Sequence, residues 1–134
     1  MVGEDPLARS GLAALLADQP GLAVVAQVAA SEDWAAIVEA YDPEVAVWDV
    51  GSTGFTDRAP DFGRAGRPVL ALISDEAQAG EALAAGARGV LFRDVGGERL
   101  AAALAALAHG LVALEETVAE TLRPRITAPP AEAL

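Results

Sequence analysis

The chain has 134 residues, a length typical of one domain, and 53% of them are hydrophobic, which is enough to build a buried core. It contains no cysteine, so a disulfide framework and thiolate metal sites are excluded. Arginine supplies all nine cationic side chains, and the net charge of -11 predicts a surface that repels nucleic-acid phosphates, so this segment itself is not expected to bind DNA.

The spacing of apolar residues predicts the first elements. Helical spacing over residues 6–18 predicts a helix, with Pro6 suited to its first turn and Asp5 before it as the N-cap. Only residues 1–3 stand before the N-cap region of this helix. The first strand is therefore predicted to be short or missing, either because it is truncated or because native residues before Met1 are missing from this sequence.

The rest of the chain alternates strand-like and helical patterns that are bounded by turn residues. Short runs of consecutive apolar residues are typical of strands buried on both faces of a parallel sheet. In chain order we predict a strand over 22–28, a helix over 31–40 capped by Ser31, a strand over 45–48 that ends at Asp49, a little-structured stretch over 51–67, a strand over 69–73, a helix over 75–85 closed by Gly86, a strand over 89–92, a helix over 97–109 stopped by Gly110, and a short helix over 115–122.

Strands that alternate with helices of this length predict right-handed βαβ units and an α/β fold with helices on both faces of a parallel sheet. We predict one domain over residues 1–112. Residues 113–134 combine a short helix with Pro124, Pro129 and Pro130, which predicts a Pro-rich linker.

Polar and charged residues stand where the predicted strands end. In an open parallel sheet, functional groups gather at the carboxyl ends of the strands. The residues at those ends are Glu4, Asp5, Asp49, Ser74 and Arg93. A carboxylate can act as a nucleophile, a second acid can hold Mg²⁺ beside it, and a hydroxyl and a cation can receive phosphoryl oxygens. This set of residues therefore indicates phosphoryl chemistry in one crevice.

Four segments of the chain resemble receivers of NarL/FixJ (LuxR-type) response regulators of two-component systems, and they occur in the family's order. The segments are PLARSGLAALL at 6–16, PEVAVWD at 43–49, ALAAGARGVLFR at 82–93, and HGLVAL with VAETL between 109 and 122. The resemblance covers about the whole chain. It implies a flavodoxin-like (CheY-like) fold, in which helices cover both faces of a parallel five-stranded sheet, and a helix-turn-helix domain after the linker.

The resemblance also implies a role for each residue of the predicted crevice. Asp49 matches the phosphoacceptor, Ser74 the switch hydroxyl, and Arg93 the position of a lysine that contacts the phosphoryl group. Glu4, Asp5 and Asp49 would hold Mg²⁺ if phosphorylation is retained.

Two alignments of the acidic residues stay open. Aligning on Pro6 puts Gly3 at the first acid and Asp5 at the family's usual histidine. A one-residue deletion restores Glu4 and Asp5 as the acidic pair. In the first alignment one metal-binding acid is gone, which would weaken the metal and the phosphotransfer that it supports.

The sequence also departs from the family's pattern near the other matched positions. Arg93 replaces lysine, and a planar guanidinium on a longer arm is not equivalent to a compact ammonium at close quarters. Val90 stands where the family has an aromatic residue that rotates on activation. The segments after Asp49 and after Ser74 are each shorter than usual by a few residues.

Each matched residue also has a purely structural interpretation. Arg93 can form a salt bridge with Asp49 or Glu4 that neutralises an inward carboxylate. Ser74 can be the N-cap of the following helix. Asp49 can keep only a structural role as a former phosphoacceptor.

We therefore expect a cytoplasmic, atypical receiver that is not an enzyme, that is weakly phosphorylated or not phosphorylated, and that controls a helix-turn-helix domain beyond Leu134. Two alternatives stay open: a conventional phospho-Asp receiver at Asp49 served by a sensor histidine kinase, and a degenerate receiver whose crevice senses a small molecule. We expect a homodimer that meets DNA only through the absent domain. No membrane contact is expected, because no apolar stretch reaches roughly 20 residues.

Overall fold

The computed structural model describes residues 1–29, 32–51, 62–64 and 66–126. These residues form an α/β fold. In chain order, its elements are β1 (Val2–Gly3), α1 (Pro6–Ala17), α2 (Trp34–Tyr41), β2 (Ala46–Asp49), a 3₁₀ turn (Phe62–Arg64), β3 (Val69–Ile73), α3 (Gln78–Ala84), β4 (Gly89–Phe92), α4 (Gly97–Ala108), β5 (Ala113–Leu114) and α5 (Glu116–Ile126).

The five strands form one parallel sheet whose spatial order is β1-β2-β3-β4-β5, with β3 at the centre. Val69, Ala71 and Ile73 of β3 belong to a buried cluster that includes residues of α3 and α5. Leu70 and Leu72 face the opposite way and belong to a cluster with residues of α1 and α4. Helices therefore cover both faces of the parallel sheet, as the sequence predicts.

The most apolar predicted strands have the bounds that the sequence indicated. β3 and β4 coincide with the predicted 69–73 and 89–92, and β2 ends at Asp49. The short first strand is confirmed, since β1 has two residues. Runs of this kind can be placed accurately because every side chain in them is apolar and both faces of the sheet are covered.

The prediction of a paired strand over 22–28 is wrong. Only Val28 forms a bridge, in parallel with Val2. A strand needs a hydrogen-bonding partner along its length, and on this side of the sheet β1 provides two residues. The apolar pattern of residues 22–28 is thus strand-like, but the segment pairs with the sheet only beside the two residues of β1.

A strand that the sequence did not predict lies at the opposite edge of the sheet. Ala113 of β5 donates its N–H to the Arg88 carbonyl at 3.1 Å, and Glu115 donates to the Val90 carbonyl at 2.9 Å. Val118 of α5 is buried in the core. The division at residue 112 stays a prediction, and the described chain beyond it packs directly on the sheet.

Some helix ends differ from the predicted ones. The predicted cap Ser31 lies outside the described residues, and Asp33 caps α2 by accepting hydrogen bonds from the N–H groups of Ala35 and Ala36. The helix predicted over 75–85 begins later, because Asp75 first closes a turn by accepting from the Ala77 N–H at 2.9 Å. In the described part of the chain, no helix has the length and apolar character needed to cross a membrane.

Candidate functional site

The carboxyl ends of the parallel strands meet at one edge of the sheet. Gly3 of β1 is in register with Asp49 of β2, and Asp49 with Leu72 of β3. Ser74 directly follows β3, and Arg93 directly follows β4. The structure thus brings Asp49, Ser74 and Arg93 to the same edge, although they are far apart in the sequence.

Asp49 and Arg93 form an ion pair at this edge. The Arg93 Nη2 donates to Asp49 Oδ2 at 2.9 Å, and the Arg93 Nε lies 2.7 Å from Asp49 Oδ1. The Asp49 side chain is 3% exposed, whereas that of Arg93 is 30% exposed. Of the two salt-bridge partners considered for Arg93, Asp49 is the one that it contacts, and the guanidinium faces both carboxylate oxygens.

Ser74 reaches Asp49 only indirectly, through Gly51. The Gly51 N–H donates to Asp49 Oδ1 at 3.1 Å, and the Ser74 hydroxyl donates to the Gly51 carbonyl at 3.3 Å. The alternative role of Ser74 as an N-cap is not observed, because α3 begins after Ala77 without a side-chain cap. The Gln78 side chain instead accepts from the Ser74 N–H at 2.8 Å.

The three predicted metal ligands are not assembled into a site. Glu4 and Asp5 are exposed, and Asp5 accepts hydrogen bonds from the N–H groups at the start of α1. Among the residues that the structure describes, no three acidic or histidine side chains form a group that could hold a metal ion. As arranged here, these residues do not fit Mg²⁺, because Arg93 faces both oxygens of Asp49. Metal binding by Glu4, Asp5 and Asp49 stays a prediction.

Arg9 is a second cation near this edge, and the sequence reasoning missed it. Its Nη1 donates to the Gly3 carbonyl at 2.6 Å. Burial lowers the pKa of the Met1 amino group, and the charge of Arg9 lowers it further. The sequence carries no clear signal of this contact, because the acceptor is a backbone carbonyl and any residue could supply it.

Substitution of Asp5 tests the capping role that its geometry shows. Asp5→Ala is expected to lower the free energy of unfolding by about 1 kcal/mol, because two N–H groups of α1 lose their acceptor. Asp5→Asn is the matched control, since an amide oxygen still accepts these hydrogen bonds, and it is expected to change stability little. Urea unfolding of both variants measures this. Equal destabilisation by the two variants would contradict the capping role.

Comparison with known proteins finds response regulators that are similar to this chain. No family model matches the chain. The nitrate/nitrite response regulator protein NarL of Escherichia coli strain K12 is 27% identical over 134 residues, which cover 96% of this chain and 62% of NarL. The response regulator ChrA of a heme-sensing two-component system is 28% identical, with a TM-score of 0.69 over 96% of this chain and 64% of ChrA. The signal receiver domain of the response regulator NarL from Mycobacterium tuberculosis is also 28% identical, with a TM-score of 0.61 over 81% of this chain and 94% of that domain.

Over nearly its whole length the chain is similar to receiver domains of NarL/LuxR-type response regulators of two-component systems. The CheY-like fold predicted from the sequence is confirmed, with its first strand short. The chain spans 62% of the length of the curated relatives that it matches. The activities of those longer relatives are those of whole proteins.

Proposed function

We propose that this receiver is atypical, that Asp49 undergoes weak or no conventional phosphorylation, and that it regulates a helix-turn-helix domain beyond residue 134. The observation that carries the proposal is the ion pair of the buried Asp49 with Arg93. The proposed action is regulatory and not enzymatic, through domain contacts or a homodimer in the cytoplasm. DNA would be met only through the further domain.

The ion pair opposes phosphorylation in two ways. To attack phosphorus, an oxygen of Asp49 needs a free lone pair directed at the phosphoryl donor. Arg93 donates to Oδ2 and lies against Oδ1, and the Asp49 side chain is 3% exposed, so the guanidinium would have to shift before a phosphoryl donor could approach the remaining lone pairs. A Mg²⁺ ion would also have to displace this cation, and the neighbouring Gly3 offers no carboxylate to help bind it.

The pair joins two strand ends without a phosphoryl group. Asp49 ends β2, and Arg93 follows β4, whose backbone is fixed by the bond from the Arg93 N–H to the Ile73 carbonyl at 2.8 Å. A side-chain bridge across β3 therefore stabilises one arrangement of this edge without a phosphoryl group. We expect the receiver to present one surface to its partner domain as long as the bridge persists.

A phosphodonor experiment tests the proposal. The purified chain is incubated with acetyl phosphate and Mg²⁺, and acid-labile phosphate is measured by intact-mass spectrometry. We expect incorporation far below one phosphate per chain, and more in Arg93→Lys, whose compact ammonium restores the family's residue. Asp49→Asn is the control for modification at other sites. Stoichiometric acid-labile phosphate on Asp49 of the unmodified chain would overturn the proposal.

A conventional phospho-Asp receiver served by a sensor histidine kinase is the second candidate. The connection from Asp49 through Gly51 to the Ser74 hydroxyl favours it, because two hydrogen bonds link this hydroxyl to the carboxylate that would be phosphorylated. Stoichiometric phosphorylation in the experiment above, abolished in Asp49→Asn, is the result that would select it.

A further inference from the structure

Glu115 is a buried carboxylate that joins the end of β4 to α4. Its side chain is 10% exposed; Oε1 accepts from the Phe92 N–H at 3.3 Å, and Oε2 accepts from the Arg99 Nη2 at 2.9 Å. Arg99 lies in the first turn of α4. Glu115 thus forms a second ion pair at the carboxyl edge of the sheet, in addition to the pair of Asp49 with Arg93.

The backbone of Glu115 explains why its side chain reaches β4. Its N–H continues the parallel ladder by donating to the Val90 carbonyl at 2.9 Å, but its carbonyl accepts from the Ala119 N–H of α5 at 2.9 Å. A regular ladder would direct that carbonyl to the Phe92 N–H. Because α5 has taken the carbonyl, the carboxylate accepts from the Phe92 N–H in its place. The same residue therefore ends the pairing of β5 with β4 and leads into α5.

Asp49, Arg93 and Glu115 lie on the same side of the sheet. Side chains two positions apart on a strand share a face. The residues two positions before these three all pack in the cluster that also contains residues of α1 and α4, and they are Val47, Leu91 and Ala113. Because β4 lies between β2 and β5, the Arg93 side chain has one buried carboxylate on each side of it.

The Glu115 carboxylate is within reach of the Arg93 side chain. Its Oε1 lies 3.3 Å from the Phe92 nitrogen, and Arg93 is the next residue, so Oε1 is at most about 9 Å from the Arg93 Cα. An extended arginine side chain with one hydrogen bond covers this distance. The contact of Arg93 with Asp49 is also incomplete, because the buried Arg93 Nε lies 2.7 Å from Asp49 Oδ1 yet forms no hydrogen bond with any described residue.

We propose that Arg93 has two carboxylate partners, and that it moves from Asp49 to Glu115 when another cation takes Asp49 or the Asp49 charge is lost. The exchange would regulate the same site as the proposed function, and it rests on that proposal. In both ion pairs the arginine is the exposed member: Arg93 is 30% and Arg99 is 64% exposed, whereas the two carboxylates are 3% and 10% exposed. The guanidiniums can therefore exchange partners while the carboxylates stay buried.

Exposure also decides which arginine would hold Glu115 after the exchange. Arg93 is the more buried of the two, so it loses more than Arg99 by staying without a carboxylate, whereas water can hydrate Arg99. Arg99 would then be released from Glu115. Because the Glu115 carbonyl accepts from the Ala119 N–H, a shift of this residue acts directly on the first turn of α5. The state of Asp49 would thus be transmitted along the sheet edge to α5.

Nitrogen-15 NMR of the arginine side chains tests the exchange on the whole chain. Arg93→Lys and Arg99→Lys assign the two Nε–H signals. In Asp49→Asn, we expect the Arg99 signal to move to its position in Glu115→Gln, while the Arg93 Nε–H stays protected from exchange with water. Adding Glu115→Gln to Asp49→Asn should raise the water-exchange rate of the Arg93 Nε–H about tenfold, because both of its carboxylates are then gone.

Glu116→Gln is the matched control, because Glu116 is exposed and directly follows Glu115. Added to Asp49→Asn, it removes the same charge and is expected to leave the Arg93 exchange rate unchanged. An Arg99 signal that does not respond to Asp49→Asn would overturn the proposal. So would rapid water exchange of the Arg93 Nε–H in Asp49→Asn alone, since the guanidinium would then be hydrated and not paired.

A double-mutant cycle in the Asp49→Asn background measures the new pair through stability. Arg93→Met and Glu115→Gln are expected to be coupled by about tenfold in the unfolding equilibrium constant, whereas Arg93→Met and Glu116→Gln should be additive. Additive effects in both combinations would contradict the exchange. No phosphodonor is present in these measurements, so their failure is distinct from phosphate incorporation on Asp49, which decides the proposed function.

Discussion

Arg93→Met is expected to lower the free energy of unfolding by about 3 kcal/mol, the largest effect of any single charge removal at the candidate site. The substitution preserves most of the side-chain volume and leaves the Asp49 carboxylate, 3% exposed, without its cation. The Gly51 N–H remains as a donor at 3.1 Å, but one neutral donor does not compensate a buried negative charge. Urea unfolding followed by circular dichroism measures the change.

A double-mutant cycle separates the ion pair from the cost of leaving one partner alone. Asp49→Asn is expected to cost less, about 1 kcal/mol, because Arg93 is 30% exposed and its charge can be hydrated. Combined with Arg93→Met, it should recover much of the stability that Arg93→Met loses alone, since no buried charge remains. Additive losses in the double variant would show that the two side chains are not coupled.

Arg67→Met is the matched control for this cycle. Arg67 also pairs with an aspartate, Asp42, at 2.7 Å, but the Asp42 side chain is 84% exposed. Exposed pairs contribute at most about 1 kcal/mol, and Arg67 also donates to the carbonyls of Pro43 and Gly66, so the control is expected to lose about 1 to 2 kcal/mol, less than Arg93→Met. A loss equal to that of Arg93→Met would mean that burial of the carboxylate is not the cause.

The sequence predicts the centre of this sheet better than its edges, and the reason is physical. In β3 and β4 nearly every residue is buried, so the apolar pattern alone determines the strand. At the edges, pairing depends on a partner elsewhere in the chain. Residues 22–28 have a strong strand pattern, but the strand beside them, β1, has only two residues. Ala113 and Leu114 are only partly buried, yet they form a strand because β4 lies beside them.

The candidate site, like the sheet, could be predicted from the sequence only in part. The positions of Asp49, Ser74 and Arg93 could be predicted because Asp49 ends a buried strand and the other two directly follow one. Their contacts could not be chosen in advance, since a guanidinium at position 93 can reach more than one carboxylate. The buried Glu115 was missed altogether: it accepts from Arg99 at 2.9 Å, and its role depends on the unpredicted β5.

Gly86→Ala is expected to lower the free energy of unfolding by about 3 kcal/mol, which gives a physical reason for the glycine at position 86, in the turn that leads into β4. Gly86 has a φ of 102°, which L side chains rarely adopt. A Cβ atom there would also lie 2.7 Å from the backbone nitrogen of Gly63. The Gly63 N–H donates to the Ala85 carbonyl at 3.2 Å, so the Phe62–Arg64 turn packs directly against this glycine.

Displacement of the Phe62–Arg64 turn by Gly86→Ala should also disturb the core. Phe62 is 3% exposed, and its ring lies 5.2 Å from that of Trp48, so a displaced turn would loosen this aromatic contact. Urea unfolding and near-UV circular dichroism of Gly86→Ala measure both effects. Gly80→Ala is the control: Gly80 lies within α3 with open space around its Cβ position, and alanine there should add about 0.5 kcal/mol of stability. If both alanines were tolerated alike, close backbone approach would not explain Gly86, because the two substitutions differ only in backbone conformation and in what the new methyl group meets.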